Sequence, residues 1–458
     1  MSKQNMEFKD SGIPWIGEIP KHWEVTKIKY CLKENFGGCW GDDLENEQIS
    51  QNSRLCIRVA DFDFDKQKVK QTADTFRNYT KSQILSTKLQ DGDLIIEKSG
   101  GGDKMPVGRS VVFEQNLFGA KEVLFANFCQ CFRPLNINNK FFAHAMKAFY
   151  QNNNMRFFFN QTTGIQNLSI FNILNAFLPY PPLNEQKKIA EFLDKKCEII
   201  DKRLSNLERK IKSLKEYKKS LISECVTKGL NPKNMEFKDS GIPWIGQIPK
   251  HWEISKIKYI VSKKITDGTH QTPEYADENT GSPFLSAKDV TSGYINWENI
   301  KYITKSLHNQ LQKEVKPQKD DILLAKNGTT GIAALVTDDK IFDIYVTLAL
   351  IRANKNIVLP KFLLYIINSE LCKIQFNLSL IGIGVQNLHL NLINNTLILV
   401  PPLNEQKEIA EFLDKKCEKI DRLNENYTKQ ITTLKEYKKS LIYECVTGKK
   451  RFKFDGIV

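Results

Sequence analysis

No uninterrupted apolar run of about 18 residues occurs in this chain, so the sequence offers no transmembrane helix and no membrane partner is expected. The opening residues, with Lys3, Glu7, Lys9 and Asp10, lack the apolar stretch of a secretory signal, and the expected location is the cytoplasm. Cysteines are scattered. Only Cys129 and Cys131 lie close, at a spacing too tight for a two-residue zinc knuckle and with no second pair, so reduced, mostly buried thiols and no metal site are expected. Histidine is scarce, and His22, His144, His251, His270, His308 and His389 stand apart along the chain. Also missing are a Gly-rich cofactor loop, a Walker A run and an HExxH helix; Gly100-Gly101-Gly102 and Gly108 lack the Gly-Lys-Ser/Thr ending of a phosphate loop. The sequence is therefore read as non-catalytic and as binding no cofactor of its own.

What is present begins with size. A chain of 458 residues suggests two to four domains at roughly 100 to 200 residues each. Hydrophobic residues at 41% and charged residues at 26% are those of an ordinary globular protein. The net charge of +14 and pI near 9.1 favour a polyanionic partner, although a basic surface also serves solubility.

The most informative feature is a repeat. Met6 to Tyr30 reads MEFKDSGIPWIGEIPKHWEVTKIKY and recurs at Met235 to Tyr259, differing only at Glu18/Gln247, Val25/Ile254 and Thr26/Ser255. A second block opens PPLNEQKKIAEFLDKKCE at Pro181 and PPLNEQKEIAEFLDKKCE at Pro401, and both copies close with LKEYKKSLI and ECVT. Two units are too few for a solenoid, so the repeat is read as two homologous halves related by a pseudo-two-fold axis. The organisation read from it is a first copy of the N-terminal block (1–30), a first variable head (31–180), a long helix (181–227), a linker with the second copy of the block (228–259), a second head (260–400), a second long helix (401–447) and a basic tail (448–458).

Each second block has the periodicity of a coiled coil. Leu193, Cys197, Ile200, Leu204, Leu207, Ile211, Leu214, Lys218, Leu221 and Cys225 alternate in steps of four and three, as do Leu413, Cys417, Ile420, Asn424, Tyr427, Ile431, Leu434, Lys438, Leu441 and Cys445. Lys218 and Lys438 break the seam, with Tyr217 and Tyr437 placed to substitute for them. Asn184 and Asn404 are candidate caps. A helix of about 40 residues is roughly 60 Å long and needs a partner. Antiparallel pairing of the two copies would set the heads at opposite ends of a rod that works as a ruler.

Both heads carry short alternating or β-branched apolar stretches punctuated by Gly, Asn and Asp, with helical stretches such as 140–150 and 360–372, which predicts α+β domains. Residues 31–180 hold 17 Lys+Arg against 15 Asp+Glu, and residues 260–400 hold 14 against 13, so most of the positive charge lies in the shared blocks. The heads share a thin skeleton: Ala60-Asp61 with Lys288-Asp289, GDLIIEKSG with DDILLAKNG, and GIQNL at Gly164 with GVQNL at Gly384. These strings deliver Lys98, Ser99 and Gly100, and Lys326, Asn327 and Gly328, to turns able to approach phosphate, while Gln166, Asn167, Gln386 and Asn387 carry amides able to pair with adenine. Further DNA-binding candidates are Lys104 and Arg109 in the first head, and His270, Gln271, Thr272, Lys288 and Thr330 in the second. An ordinary turn, and a Gln-Asn pair that caps a strand, are the competing readings of the two duplicated motifs. Tyr180-Pro181-Pro182-Leu183 has Tyr and Leu where adenine methyltransferases carry an acidic residue or Asn and an aromatic, and it opens a helix.

The order of blocks, the GIPWIGEIPKHWE and PPLNEQKxIAEFLDKK strings and the two dissimilar heads resemble the specificity subunit of a type I restriction-modification enzyme, over nearly the whole chain. The resemblance implies two target-recognition domains separated by a long antiparallel two-helix coiled coil, each reading one half of a bipartite site in double-stranded DNA. It also implies partners: two methylation subunits that use S-adenosylmethionine, and up to two restriction subunits that use ATP and Mg to translocate and cut DNA. The exposed helix faces and Trp15, Trp23, Trp244 and Trp252 are the surfaces expected to dock them, with packing of the tryptophans on the helices as the competing reading. A specificity module of another DNA-modifying defence system and a coiled-coil scaffold whose heads bind protein remain as alternative functions.

Overall fold

The computed structural model describes residues 7–44, 47–162, 164–379 and 387–450. The chain divides into two compact units, one formed by Met1–Glu208 with Thr428–Val458 and the other by Arg209–Tyr427. Each contains one copy of the N-terminal block, one head, and a segment of each of the two long helices, Leu183–Lys228 and Leu403–Val446. None of the helices among the described residues is long and apolar enough to cross a membrane.

The first head is built on a six-stranded mixed sheet ordered Leu32–Gly37, Cys129–Pro134, Leu94–Glu97, Ser110–Val112, Lys68–Val69, Phe62–Asp63. Leu94–Glu97 is buried along its length because it has a core on each face. Leu94 and Ile96 join the helix Asn139–Gln151 on one side, and Ile95 joins Leu55, Phe113 and Phe125 on the other. The second head repeats the device at Ile322–Ala325, whose Ile322 and Leu324 face the core containing Phe362 and Ile366 while Leu323 and Ala325 face Leu285 and Phe342. The helical stretch expected at 360–372 is two helices, Pro360–Asn368 and Glu370–Ser379, parted at Ser369, whose buried hydroxyl donates to the Ile366 carbonyl at 2.7 Å. Asp61 and Asp289, aligned in the shared skeleton, both close a 3-10 turn by accepting a backbone N–H three residues back, from Arg58 and Ser286, at 2.8 Å each.

The N-terminal block is tied to the start of its long helix. In the first unit Glu24–Lys27 pairs antiparallel with Phe177–Tyr180, and in the second Glu253–Lys256 pairs with Leu397–Val400. Trp23 then donates its indole N–H to Glu185 at 2.9 Å, and Trp252 donates to Glu405 at 3.0 Å. Both indoles are buried, at 2% and 0% exposure, which removes Trp23 and Trp252 from the expected docking surface. Trp15 is half-buried beside an open groove lined by Phe157, Phe158, Phe171 and Phe177, and Trp244 is exposed. The long helices begin at Leu183 and Leu403, so Asn184 and Asn404 lie inside the first turn rather than capping it. The glutamates one position on accept the two indole bonds.

The seam lysines are a second correction. Tyr217 and Tyr437 face outward, at 53% and 50% exposure, and the lysines keep their seam positions because an aspartate on the other helix meets each one. In the first unit Lys438 reaches Asp201 Oδ1 at 2.6 Å; in the second Lys218 donates to both carboxylate oxygens of Asp421, at 2.6 and 2.7 Å. The two pairs are one pair transposed between the copies. In the second unit the helices run antiparallel, since Lys210 lies over the Tyr427 ring and Lys218 meets the earlier residue Asp421. All ten cysteines are free thiols, nine of them buried, and burial pushes the Cys31 and Cys225 thiols up to about 11.

Candidate nucleic-acid interface

The two motifs that recur in both heads lie about 60 or more residues apart in sequence, and each head brings its own pair into contact. In the first, the chain leaves Leu94–Glu97 through Lys98 and continues as a short strand, Ser99–Gly100, on the hairpin Phe159–Thr162/Ile165–Leu168, with Ser99 opposite Asn167 and Gly100 opposite Gln166. The expected turn at Lys98-Ser99-Gly100 is therefore a strand edge. The Leu168 N–H donates to the Lys98 carbonyl at 2.8 Å, and Ser99 Oγ donates to Asn167 Oδ1 at 2.6 Å. In the second head the Leu388 N–H donates to the Lys326 carbonyl at 2.8 Å and Asn327 bridges Asn387. Gln386 lies outside the described residues.

Several expected contact residues are occupied within the fold. Gln166 is buried at 2% exposure, and its amide oxygen accepts the Val107 N–H at 3.0 Å, so it stabilises the glycine bend instead of offering its amide to a base. Gly101 makes that bend possible: its φ is +66°, and a Cβ there would stand 2.5 Å from Val107 N. Arg109 forks onto Glu97 through two bonds of 2.9 Å, and Glu97 is 1% exposed. That pairing raises the Arg109 pKa and commits its charge to the fold. Lys326 is buried and paired with Asp267, which removes it as a free phosphate cation. Lys104, Asn167, His270, Gln271 and Thr272 are exposed, while Lys98, Ser99, Asn327 and Thr330 are half-buried and Gly328 is exposed at its bend with φ +73°.

The second head gathers a cleft that its sequence did not announce. Gly268 lies against the Ile344 carbonyl so closely that a Cβ would sit 1.9 Å from it, and Thr269 bridges Tyr345, which holds the His270-Gln271-Thr272 loop beside Tyr345. Tyr345 in turn lines a cleft of about 290 Å³ with Tyr275, Phe284, Ser286, Ala287, Lys288, Lys301 and Thr347. Lys301 Nζ stands 4.1 Å above the Tyr275 ring, and Lys288, largely exposed, donates to the Asn299 carbonyl at 3.4 Å. In the first head the strand in the same position, Phe76–Asn78, places the Arg77 guanidinium 4.5 Å from the Trp40 ring centroid, but there the cation is buried and paired with Asp43. Tyr275, Lys301, Tyr345 and Thr347 were missed because they belong to no repeated string. The strand register that gathers them spans about 70 residues. Exposed ammonium groups beside aromatic rings and the Gln271 amide suit a polyanion that presents hydrogen-bonding edges. Among the described residues no group of three His, Cys, Asp or Glu is arranged to hold a metal.

Comparison with known proteins assigns the chain. The family model described as type I restriction modification DNA specificity domain matches residues 63–214 and again 249–433. The type I restriction enzyme MjaVIII specificity subunit of Methanocaldococcus jannaschii is 30% identical over 296 residues, a match covering 64% of this chain and 66% of that protein. The EcoKI specificity subunit of Escherichia coli is 24% identical over 442 residues, covering 94% of this chain and 90% of its own. A chain solved in work on complex assembly and conformational transition of the type I R-M system superposes with a TM-score of 0.68 at 14% identity, covering 94% of this chain and 99% of that one, which establishes a shared fold. With a specificity-domain match on each head and the long helices in place, this chain belongs to the type I restriction-modification DNA specificity family.

Proposed function

We propose that this protein is the sequence-reading subunit of a type I restriction-modification enzyme, each head recognising one half of a bipartite DNA site. The observation that carries this is the double match of the specificity domain, once per head, on a chain whose heads differ while their supports are nearly identical. In this reading the second head meets DNA at the Tyr275–Lys301 cleft and its flanking His270-Gln271-Thr272 loop, and the first at the edge formed by Lys98, Ser99, Lys104 and Asn167. Chemistry belongs to partners: methylation subunits that carry S-adenosylmethionine and modify adenine, and restriction subunits that use ATP and Mg. The aromatic groove beside Trp15 is the surface we assign to a methylation subunit.

The test is exchange of one head. Replacing residues 31–180 with the head of another family member, co-expressed with the methylation partner, is expected to change one half of the methylated motif and leave the other intact. Methylome sequencing that found both halves altered, or no bipartite motif with the unmodified chain, would refute the reading.

A further inference from the structure

The string NEQKxIAEFLD is identical in both long helices apart from one position, yet the heads that rest on it share little sequence. Its side chains explain the identity. Gln186, 1% exposed, accepts the Asn138 N–H at the start of the first head's helix at 2.8 Å and anchors its own amide on the Pro181 carbonyl at 2.8 Å. Gln406, 0% exposed, does the same for the Leu359 N–H at 2.8 Å, and donates to the carbonyls of Ile357 and Pro401 at 2.9 and 2.8 Å.

Two turns further on, Asp194 takes Lys140 Nζ on one oxygen at 2.7 Å and His144 Nε2 on the other at 2.9 Å. Asp414 takes Lys361 Nζ at 2.5 Å and the Tyr365 hydroxyl at 2.8 Å. Phe141 and Phe362, next to the lysines, are fully buried in the cores that contain Ile189 and Leu193, or Ile409 and Leu413. Burial holds His144 below its ordinary pKa and Tyr365 above, so each aspartate meets one ammonium and one neutral donor. The heads therefore do share a pattern, Lys-Phe-(Phe/Leu)-x-(His/Tyr), at 140–144 and 361–365.

We propose that the shared string is a socket and this five-residue pattern its plug, with Gln186, Asp194, Gln406 and Asp414 as positioning residues that fix the angle at which each head leaves its helix. A head brought in by exchange must carry a matching plug of its own. Lys at its first position and a hydrogen-bond donor four residues on lie one above the other on a helix, at the spacing two oxygens of one carboxylate can span. Either His or Tyr serves because only the donor is required.

The test is hydrogen exchange on the full chain without DNA or partners, which makes it independent of the specificity reading. Asp194→Lys sets like charges together and is expected to speed exchange in residues 139–151 at least tenfold, leaving 360–368 unchanged; adding Lys140→Glu is expected to restore protection to within about threefold. His144→Tyr, which installs the second head's plug in the first, is expected to keep protection, and His144→Leu to lose it about fivefold. Failure of Lys140→Glu to rescue Asp194→Lys, or equal behaviour of the Tyr and Leu variants, overturns the proposal. The His144 pair decides the matter if Asp194→Lys does not fold.

Discussion

Lys438→Met tests the seam. The side chain is 9% exposed, and its ammonium holds Asp201 Oδ1 at 2.6 Å and the Asp65 carbonyl at 3.0 Å. Methionine keeps the apolar stem and deletes the charge, leaving the Asp201 carboxylate facing the helix pair without its counter-ion. Breaking one side of a buried pair costs about 3–5 kcal/mol, and since Asp201 retains 22% exposure the loss here is expected at the lower end, about 3 kcal/mol. The repeat supplies a control in the same chain. Lys218 is 30% exposed and Asp421 58%, so Lys218→Met is expected to cost under about 1 kcal/mol. Adding Asp201→Leu to Lys438→Met is expected to recover most of the loss, because an apolar pair of similar volume carries no stranded charge. Urea unfolding at neutral pH, with hydrogen exchange in 428–446 and 209–228 to assign each transition, measures all three. Equal costs for the two lysines, or no recovery in the double variant, would refute the assignment of a buried, charge-compensated seam to the first unit.

Three further outcomes are expected. Burial pushes the Lys147 ammonium, which donates to the carbonyls of Phe64 and Asp65, down to about 8. The unfolded chain then binds the extra proton between roughly pH 8 and 10.5, so stability rises with pH across that window, by up to about 3 kcal/mol; Lys147→Met should remove the rise, as the difference between the two urea midpoints at pH 7.5 and 9.5 will report. Lys288→Ala and Lys301→Ala should each weaken duplex binding by the assembled complex across all sequences and lower the salt slope by about 1, whereas Tyr275→Ala should relax the second half-site in methylome sequencing. Trp252→Phe keeps the apolar packing and strands a Glu405 oxygen, costing about 1–2 kcal/mol and speeding exchange in 253–256.

Much of the architecture was legible because it rests on periodicity. The seam positions, the double-faced strands LIIE and ILLA and the helix near 140–150 all follow from the spacing of apolar residues, and the duplication follows from direct identity. What escaped depends on partners distant in sequence. Gln166 reads as a free amide until Val107 is folded against it, and Lys326 reads as a phosphate cation until Asp267 arrives from 59 residues away. Lys438 reads as a fault in a heptad because its aspartate lies on the other copy, 237 residues away. The Tyr275–Lys301 cleft carried no signal, since its residues belong to no repeated string and repeated strings were the guide. The plug was overlooked for a related reason: with His in one copy and Tyr in the other, its identity is one of hydrogen-bonding role.

The transposed lysine–aspartate pairs make the two copies interchangeable at this contact. Each helix carries both members, the first copy lending Lys218 and Asp201 and the second Lys438 and Asp421, so a single half already holds everything needed to complement another like itself. The contact that ties the two helices together in each unit therefore needs no residue peculiar to either copy.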